Sequence, residues 1–107
     1  MTTNKFKYGL KNSQIEEIIT KLNAFDLTEI ILFGSRARGN FRDNSDVDLA
    51  LIGNLTFLQI TRIKAILEEE TSLPYFFDVV EYNSLTNMEL KNQIDQNGKI
   101  LWKSGKK

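Results

Sequence analysis

The sequence predicts an α/β protein of the α+β kind, a mixed β-sheet with helices packed on it. Three observations lead there. Two β-prone runs, Ile30 to Phe33 and Asp46 to Ile52, flank a polar link that carries Gly34 and Gly39. Three stretches open on capping-box pairs and continue with apolar residues at helical spacing. A third β-prone run, Phe76 to Glu81, follows the single proline, Pro74. Strands and helices interleaved in this way bury their apolar faces best as a sheet with helices laid against it.

In chain order, the first residues are polar and basic (Lys5, Lys7, Lys11), and residues 1–11 are expected to form an arm leading into the fold. Ser13 with Glu16 forms a capping box, and Ile15, Ile18, Ile19, Leu22 and Phe25 follow, so a helix is expected from Ser13 to Phe25. The first strand ends at Gly34, and the second is closed by Gly53-Asn54. Thr56 with Gln59 opens a second helix whose inner face carries Phe57, Ile60, Ile63 and Leu67, and which must stop before Pro74. Thr86 with Glu89 opens a third helix, with Leu90 and Ile94 facing inward and Gly98 as its cap. Ile100-Leu101-Trp102 is a last short strand, and residues 103–107 are expected to fray. No linker or repeat interrupts this order, so residues 1–107 are expected to form one domain.

Composition narrows the chemistry. There is no cysteine and no histidine among 107 residues, which removes thiolate metal sites, Ser-His-Asp triads and imidazole bases. Any catalysis must run on carboxylates, hydroxyls, Lys, Arg, Tyr and backbone groups. Fourteen Lys and Arg balance fourteen Asp and Glu, so no global basic field exists to grip nucleic acid, and stable nucleic-acid binding is not expected. No signal peptide and no membrane-length apolar run is present, so no membrane association is expected and the cytoplasm is the expected compartment.

The candidate site lies between the first two strands. Gly34 lets the backbone turn and approach a ligand closely. If Ser35 to Gly39 forms a short helical turn, its free amides and the Ser35 hydroxyl suit phosphate; the plainer account is a strand-ending turn with an N-cap serine. Three of the four arginines, Arg36, Arg38 and Arg42, cluster here, and the forked guanidinium favours phosphate. Asp46 and Asp48, two apart in a strand, would stand side by side on one face. Two such carboxylates repel unless water or a divalent cation separates them, and Mg²⁺ suits oxygen ligands shared with phosphates. Asp78, flanked by Phe76, Phe77, Val79 and Val80, either meets solvent at a strand edge or joins the pair on a neighbouring strand. Three converging carboxylates and a triphosphate would hold two Mg²⁺ ions roughly 3.5–4 Å apart. Asp78 would then help take a proton in place of the missing histidine.

With these residues assembled, the chain resembles the minimal nucleotidyltransferases (MNT) of the DNA polymerase beta superfamily. The resemblance rests on Gly34-Ser35, ten residues, then Asp46-Val47-Asp48, together with the string Gly-Ser-Arg-Ala-Arg-Gly, Ser45, and Asp78 on a later strand. It runs from Tyr8-Gly9-Leu10 to Asn97-Gly98-Lys99-Ile100 and implies a polymerase-beta-type nucleotidyltransferase core. It further implies that Asp46 and Asp48 bind both Mg²⁺ ions and Asp78 the catalytic one. Gly34 and Ser35 would hold the triphosphate of ATP, with Ser45, Arg36 and Arg42 assisting. The reaction implied is in-line attack by an acceptor hydroxyl on the α-phosphorus, transferring AMP and releasing pyrophosphate.

Chain length bears on the acceptor. The catalytic sheet and its helices take up nearly all 107 residues, so the acceptor is expected on a partner chain, with self-association into a homodimer as the other route. Family members of this size are commonly paired with a helical HEPN-type RNase toxin, and the segment from Leu73-Pro74-Tyr75 to Trp102 resembles that paired branch. The resemblance therefore implies a protein adenylyltransferase antitoxin that adds AMP to a tyrosine of a HEPN toxin in a hetero-oligomer. The alternatives are an antitoxin that masks its partner without catalysis, and a small-molecule (antibiotic-type) nucleotidyltransferase whose substrate domain is supplied in trans.

Overall fold

In the computed structural model, which describes residues 6–105, the described part of the expected arm, residues 6–11, is a hairpin. β1 (Phe6–Lys7) and β2 (Leu10–Lys11) pair antiparallel around Tyr8 and Gly9. Both turn residues have positive φ, 58° and 75°, as tight two-residue hairpin turns require. Leu10 is fully buried, and that apolar anchor explains why residues 6–11 dock on the fold instead of trailing from it. The remainder of the expected arm, residues 1–5, lies outside the described residues, as do 106 and 107 of the expected tail.

The first helix, α1 (Asn12–Leu22), starts one residue earlier than Ser13 and ends before Phe25. Gln14, not Glu16, reaches back across the N-terminus, accepting from the Lys11 N–H at 2.9 Å. Its buried side chains are Ile18 and Leu22. The chain then enters β3 (Leu27–Phe33), a five-residue helix α2 (Gly34–Arg38) and β4 (Val47–Gly53). α3 (Phe57–Glu69) has the expected capping box: the Gln59 N–H donates to the Thr56 hydroxyl at 3.1 Å, and the Thr56 N–H donates to the Gln59 side chain at 2.8 Å. β5 (Phe77–Glu81) leads through a short 3₁₀ turn into α4 (Met88–Asn97) and β6 (Lys99–Lys103). Asn87, one residue beyond the expected Thr86, caps α4 by accepting from the Leu90 N–H at 3.1 Å. Gly98 closes the helix as expected.

The sheet has the order β5-β4-β3-β6, with β4 and β5 parallel and the other neighbours antiparallel. Residues 103 and 104 do not fray: Lys103 pairs with Glu29, and the Ser104 N–H donates to the Thr28 carbonyl at 2.8 Å. Side-chain alternation gives the sheet two apolar faces. Ile30, Leu32, Leu49, Leu51, Phe77 and Val79 join Ile18, Leu22, Ile63 and Leu67 of α1 and α3 in the main core. Ile31, Phe33 and Ala50 meet Ile94 of α4 in a smaller one on the other face.

Candidate active site

The site begins where β3 runs out. After Phe33 the backbone turns at Gly34, with φ of 76°, into α2, which Gly39 ends with φ of 90°. A short helix, one of the two readings open for this link, therefore stands between the strands, over Gly34–Arg38. A side chain is excluded at Gly34 because a Cβ there would run into the carboxylate of Asp48, 3.0 Å from its Cγ. Asp48 lies opposite Phe33 on one side and opposite Asp78 on the other, so the middle strand carries the central carboxylate.

One expectation about these carboxylates changes, and for Asp78 both open readings hold, an exposed strand edge and a place beside Asp48. β4 begins at Val47, so Asp46 sits in the preceding loop and its position depends on that loop rather than on strand alternation. Asp78 is not buried. β5 is the outer strand of the sheet, and Asp78 is exposed while its neighbours Phe77 and Val79 turn into the core. The burden of burial falls on Asp48, which is half-buried. Its pKa is pushed up to about 6, first by desolvation, then by the charges of Asp78 and Asp46, with Arg38 and Arg36 pulling it back. Among the described residues no three acidic side chains gather closely enough to hold an ion by themselves. The donor set is nonetheless all oxygen, focused on one carboxylate whose negative charge is disfavoured. That chemistry fits a hard cation completing its shell with phosphate oxygens and water.

The arginines separate into different roles. Arg36 is 1 % exposed. Its guanidinium lies between the rings of Phe41 and Tyr75, 5.3 and 4.7 Å from their centroids. Nε and Nη2 donate to the Ser45 carbonyl at 3.3 and 2.9 Å, Nη2 also to the Asp43 carbonyl at 3.1 Å, and Nη1 to the Tyr8 carbonyl at 2.9 Å. Its donors are thus engaged by backbone carbonyls and its faces by aromatic rings, a different use from the nucleotide contact expected of it. Burial lowers its pKa, while Tyr75, Asp43, Asp48 and Asp46 oppose that shift.

Arg38, two residues on and so on the other side of the short helix, is exposed, and its charge reaches Asp48. Arg42 is also exposed, and its backbone N–H donates to the Ser45 hydroxyl at 2.8 Å while the Ser45 N–H returns to the Arg42 carbonyl at 3.0 Å. Ser45 thus closes the loop ahead of Asp46. Ser35 is partly exposed, and its carbonyl accepts from Gly39 at 2.9 Å and Asn40 at 3.2 Å. In sequence the three clustered arginines are alike, and the resemblance implies assistance from Arg36 and Arg42; the fold instead sets Arg36 and Arg38 apart. The discriminating signal was their spacing of two on a helix, which sends one inward and the other out.

A family model described as "Polymerase beta, Nucleotidyltransferase" matches residues 13–107. A curated protein of Methanocaldococcus jannaschii, provisionally named a protein adenylyltransferase, is 27% identical over 71% of this chain and 79% of its own length. One chain of a toxin–antitoxin crystal structure with AMP-PNP superposes with a TM-score of 0.72 at 28% identity, covering 85% of this chain and 74% of that one. A chain of the complex between a tri-AMPylated Shewanella oneidensis HEPN toxin and its MNT antitoxin gives a TM-score of 0.67 at 25% identity, covering 86% and 71%.

Proposed function

Because this chain belongs to the polymerase beta nucleotidyltransferase family and is a nucleotidyltransferase of the minimal type, we propose that it moves AMP from ATP to a hydroxyl, a tyrosine in particular, of a HEPN-type partner toxin, and so acts as that toxin's antitoxin. The observation that carries this reading is the placement of Asp48, with the Gly34 backbone against it and Asp78 in register beside it. A half-buried carboxylate crowded by two others is disfavoured until positive charge arrives. A triphosphate that brings Mg²⁺ supplies that charge.

In this reading Asp46 and Asp48 would hold two Mg²⁺ ions, and Asp78 would join them at the catalytic one. Bound Mg²⁺ supplies neutralisation of the triphosphate and a lowered pKa for a coordinated hydroxyl. Gly34 and Ser35 present the turn that seats the triphosphate, and the exposed guanidiniums of Arg38 and Arg42 stand ready for its outer oxygens. Asp78 would accept the acceptor's proton as the new O–P bond forms at the α-phosphorus, a role supported by its solvent-facing position beside Asp48. The bond from that phosphorus to the bridging oxygen breaks, and pyrophosphate leaves with its electron pair.

The test is intact mass of the co-expressed HEPN partner with and without ATP and Mg²⁺. Added AMP units on the partner, lost when Asp46 and Asp48 are both changed to Asn, are the expected result. Toxin neutralisation that survives those changes with no gain in mass would remove the catalytic reading.

A further inference from the structure

We propose that Arg36 is the positioning residue of the carboxylate centre, a buried cation that sets where Asp46 stands relative to Asp48 and Asp78 without contacting substrate. The inference rests on the reading of these three aspartates as metal ligands. Three separate segments meet on Arg36. The hairpin turn contributes the Tyr8 carbonyl, the loop contributes the Asp43 and Ser45 carbonyls, and the segment entering β5 contributes the Tyr75 ring. Ser45 immediately precedes Asp46, and Tyr75 stands three residues before Asp78. The two segments are also tied directly, by the Val47 N–H donating to the Phe76 carbonyl at 2.9 Å. Asp46 has no strand of its own, so its geometry comes from the carbonyl of Ser45, which accepts two of the Arg36 bonds.

The way Arg36 is held matters as much as what it holds. A guanidinium among carboxylates would ordinarily close a bidentate pair with one of them. Here it does not: among the described residues the one ion pair within 4.0 Å is Lys64–Glu68, at 3.3 Å. Carbonyl acceptors and two aromatic rings keep Arg36 out of such a pair, so the carboxylate oxygens stay open to a cation. Lysine cannot do this, because a single ammonium lacks both the planar stack and the fork that reaches three carbonyls. The packing leaves no slack: a Cβ at Gly9 would come within 2.6 Å of the Arg36 Nη1.

The test compares the wild type with Arg36→Lys and Tyr75→Leu, without nucleotide or partner. Mn²⁺ binding is followed by electron paramagnetic resonance, amide exchange by mass spectrometry across residues 41–48, and folding by circular dichroism. Arg36→Lys is expected to remain folded at low temperature, to bind Mn²⁺ about tenfold more weakly, and to exchange faster across the loop. Should Arg36→Lys fail to fold, Tyr75→Leu, which removes one ring and keeps every carbonyl bond, carries the test with an expected loss of about threefold. A folded variant with wild-type Mn²⁺ affinity and wild-type loop exchange, showing only a lower melting temperature, would overturn the proposal and leave Arg36 as a fold stabiliser. A wild type that binds Mn²⁺ but adds AMP to no partner removes the function proposed above and leaves this role standing.

Discussion

Gly34 and Asp48 occupy one volume: the turn that ends β3 passes so close under the Asp48 carboxylate that no side chain fits at position 34. Its positive φ of 76° independently favours glycine. Gly34→Ala must therefore displace the carboxylate as well as strain the backbone. We expect a stability loss of about 1–2 kcal/mol in urea titrations and a drop in AMP transfer of at least ~10²-fold. Near-wild-type transfer by Gly34→Ala would show that the close approach does not matter to the reaction.

Asp48 gives a pH signature with a definite sign. Its folded-state pKa, about 6, lies above the ordinary value of 3.8, so between those values the folded protein binds more protons than the unfolded chain. Stability without metal should fall as pH rises through that window and stay lower above it. Asp48→Asn removes the penalty. It should be the more stable protein at pH 7.5 by on the order of 1 kcal/mol, after discounting for solvent screening of a half-buried group, and the difference should vanish near pH 3.5. Thermal melts across pH decide it. Added Mg²⁺ should raise the melting temperature of the wild type and leave Asp48→Asn unchanged.

Asp78→Asn separates chemistry from stability. The side chain is exposed on the outer strand, so its loss should change folding free energy by less than about 0.5 kcal/mol while AMP transfer falls at least ~10²-fold. Because Asp78 raises the Asp48 pKa through its charge, the Asp48 titration followed by carboxyl-carbon NMR should also move down in this variant. An unmoved titration would contradict the register of the two strands.

Arg38 and Arg36 should respond differently to charge removal. Arg38 is exposed and holds the Asp48 pKa down, so Arg38→Gln should raise that pKa further and raise the KM for ATP, with an unchanged melting temperature. Equal effects of Arg38→Gln and wild type on KM would remove Arg38 from the nucleotide site.

The Thr56 capping box offers a control on a helix that carries none of the three aspartates. Thr56→Ala deletes the acceptor for the Gln59 N–H and should cost about 1 kcal/mol in denaturant titration with no change in transfer rate.

What the sequence determined by itself was local. Periodicity placed the helices and strands of the main sheet, and the Thr56–Gln59 pair capped α3 as its spacing required. Gly34 marked the turn that ends β3, Asp48 and Asp78 were legible as carboxylates out of place among apolar neighbours, and Asp46 by its spacing of two from Asp48. The hairpin at Tyr8-Gly9 was equally local, yet it hid behind a basic composition, and its docking shows in the burial of Leu10 and in the Arg36 bond to the Tyr8 carbonyl. Tertiary structure decided the rest, because partners distant in sequence set each environment. Strand order made β5 an outer strand, leaving Asp78 exposed and Asp48 to bear the desolvation. The same assembly enclosed Arg36 between Phe41 and Tyr75 while Arg38, two residues away, faced solvent. Spacing can say that two arginines on a short helix point in different directions. Which direction is inward depends on where the hairpin, the loop and β5 come to rest.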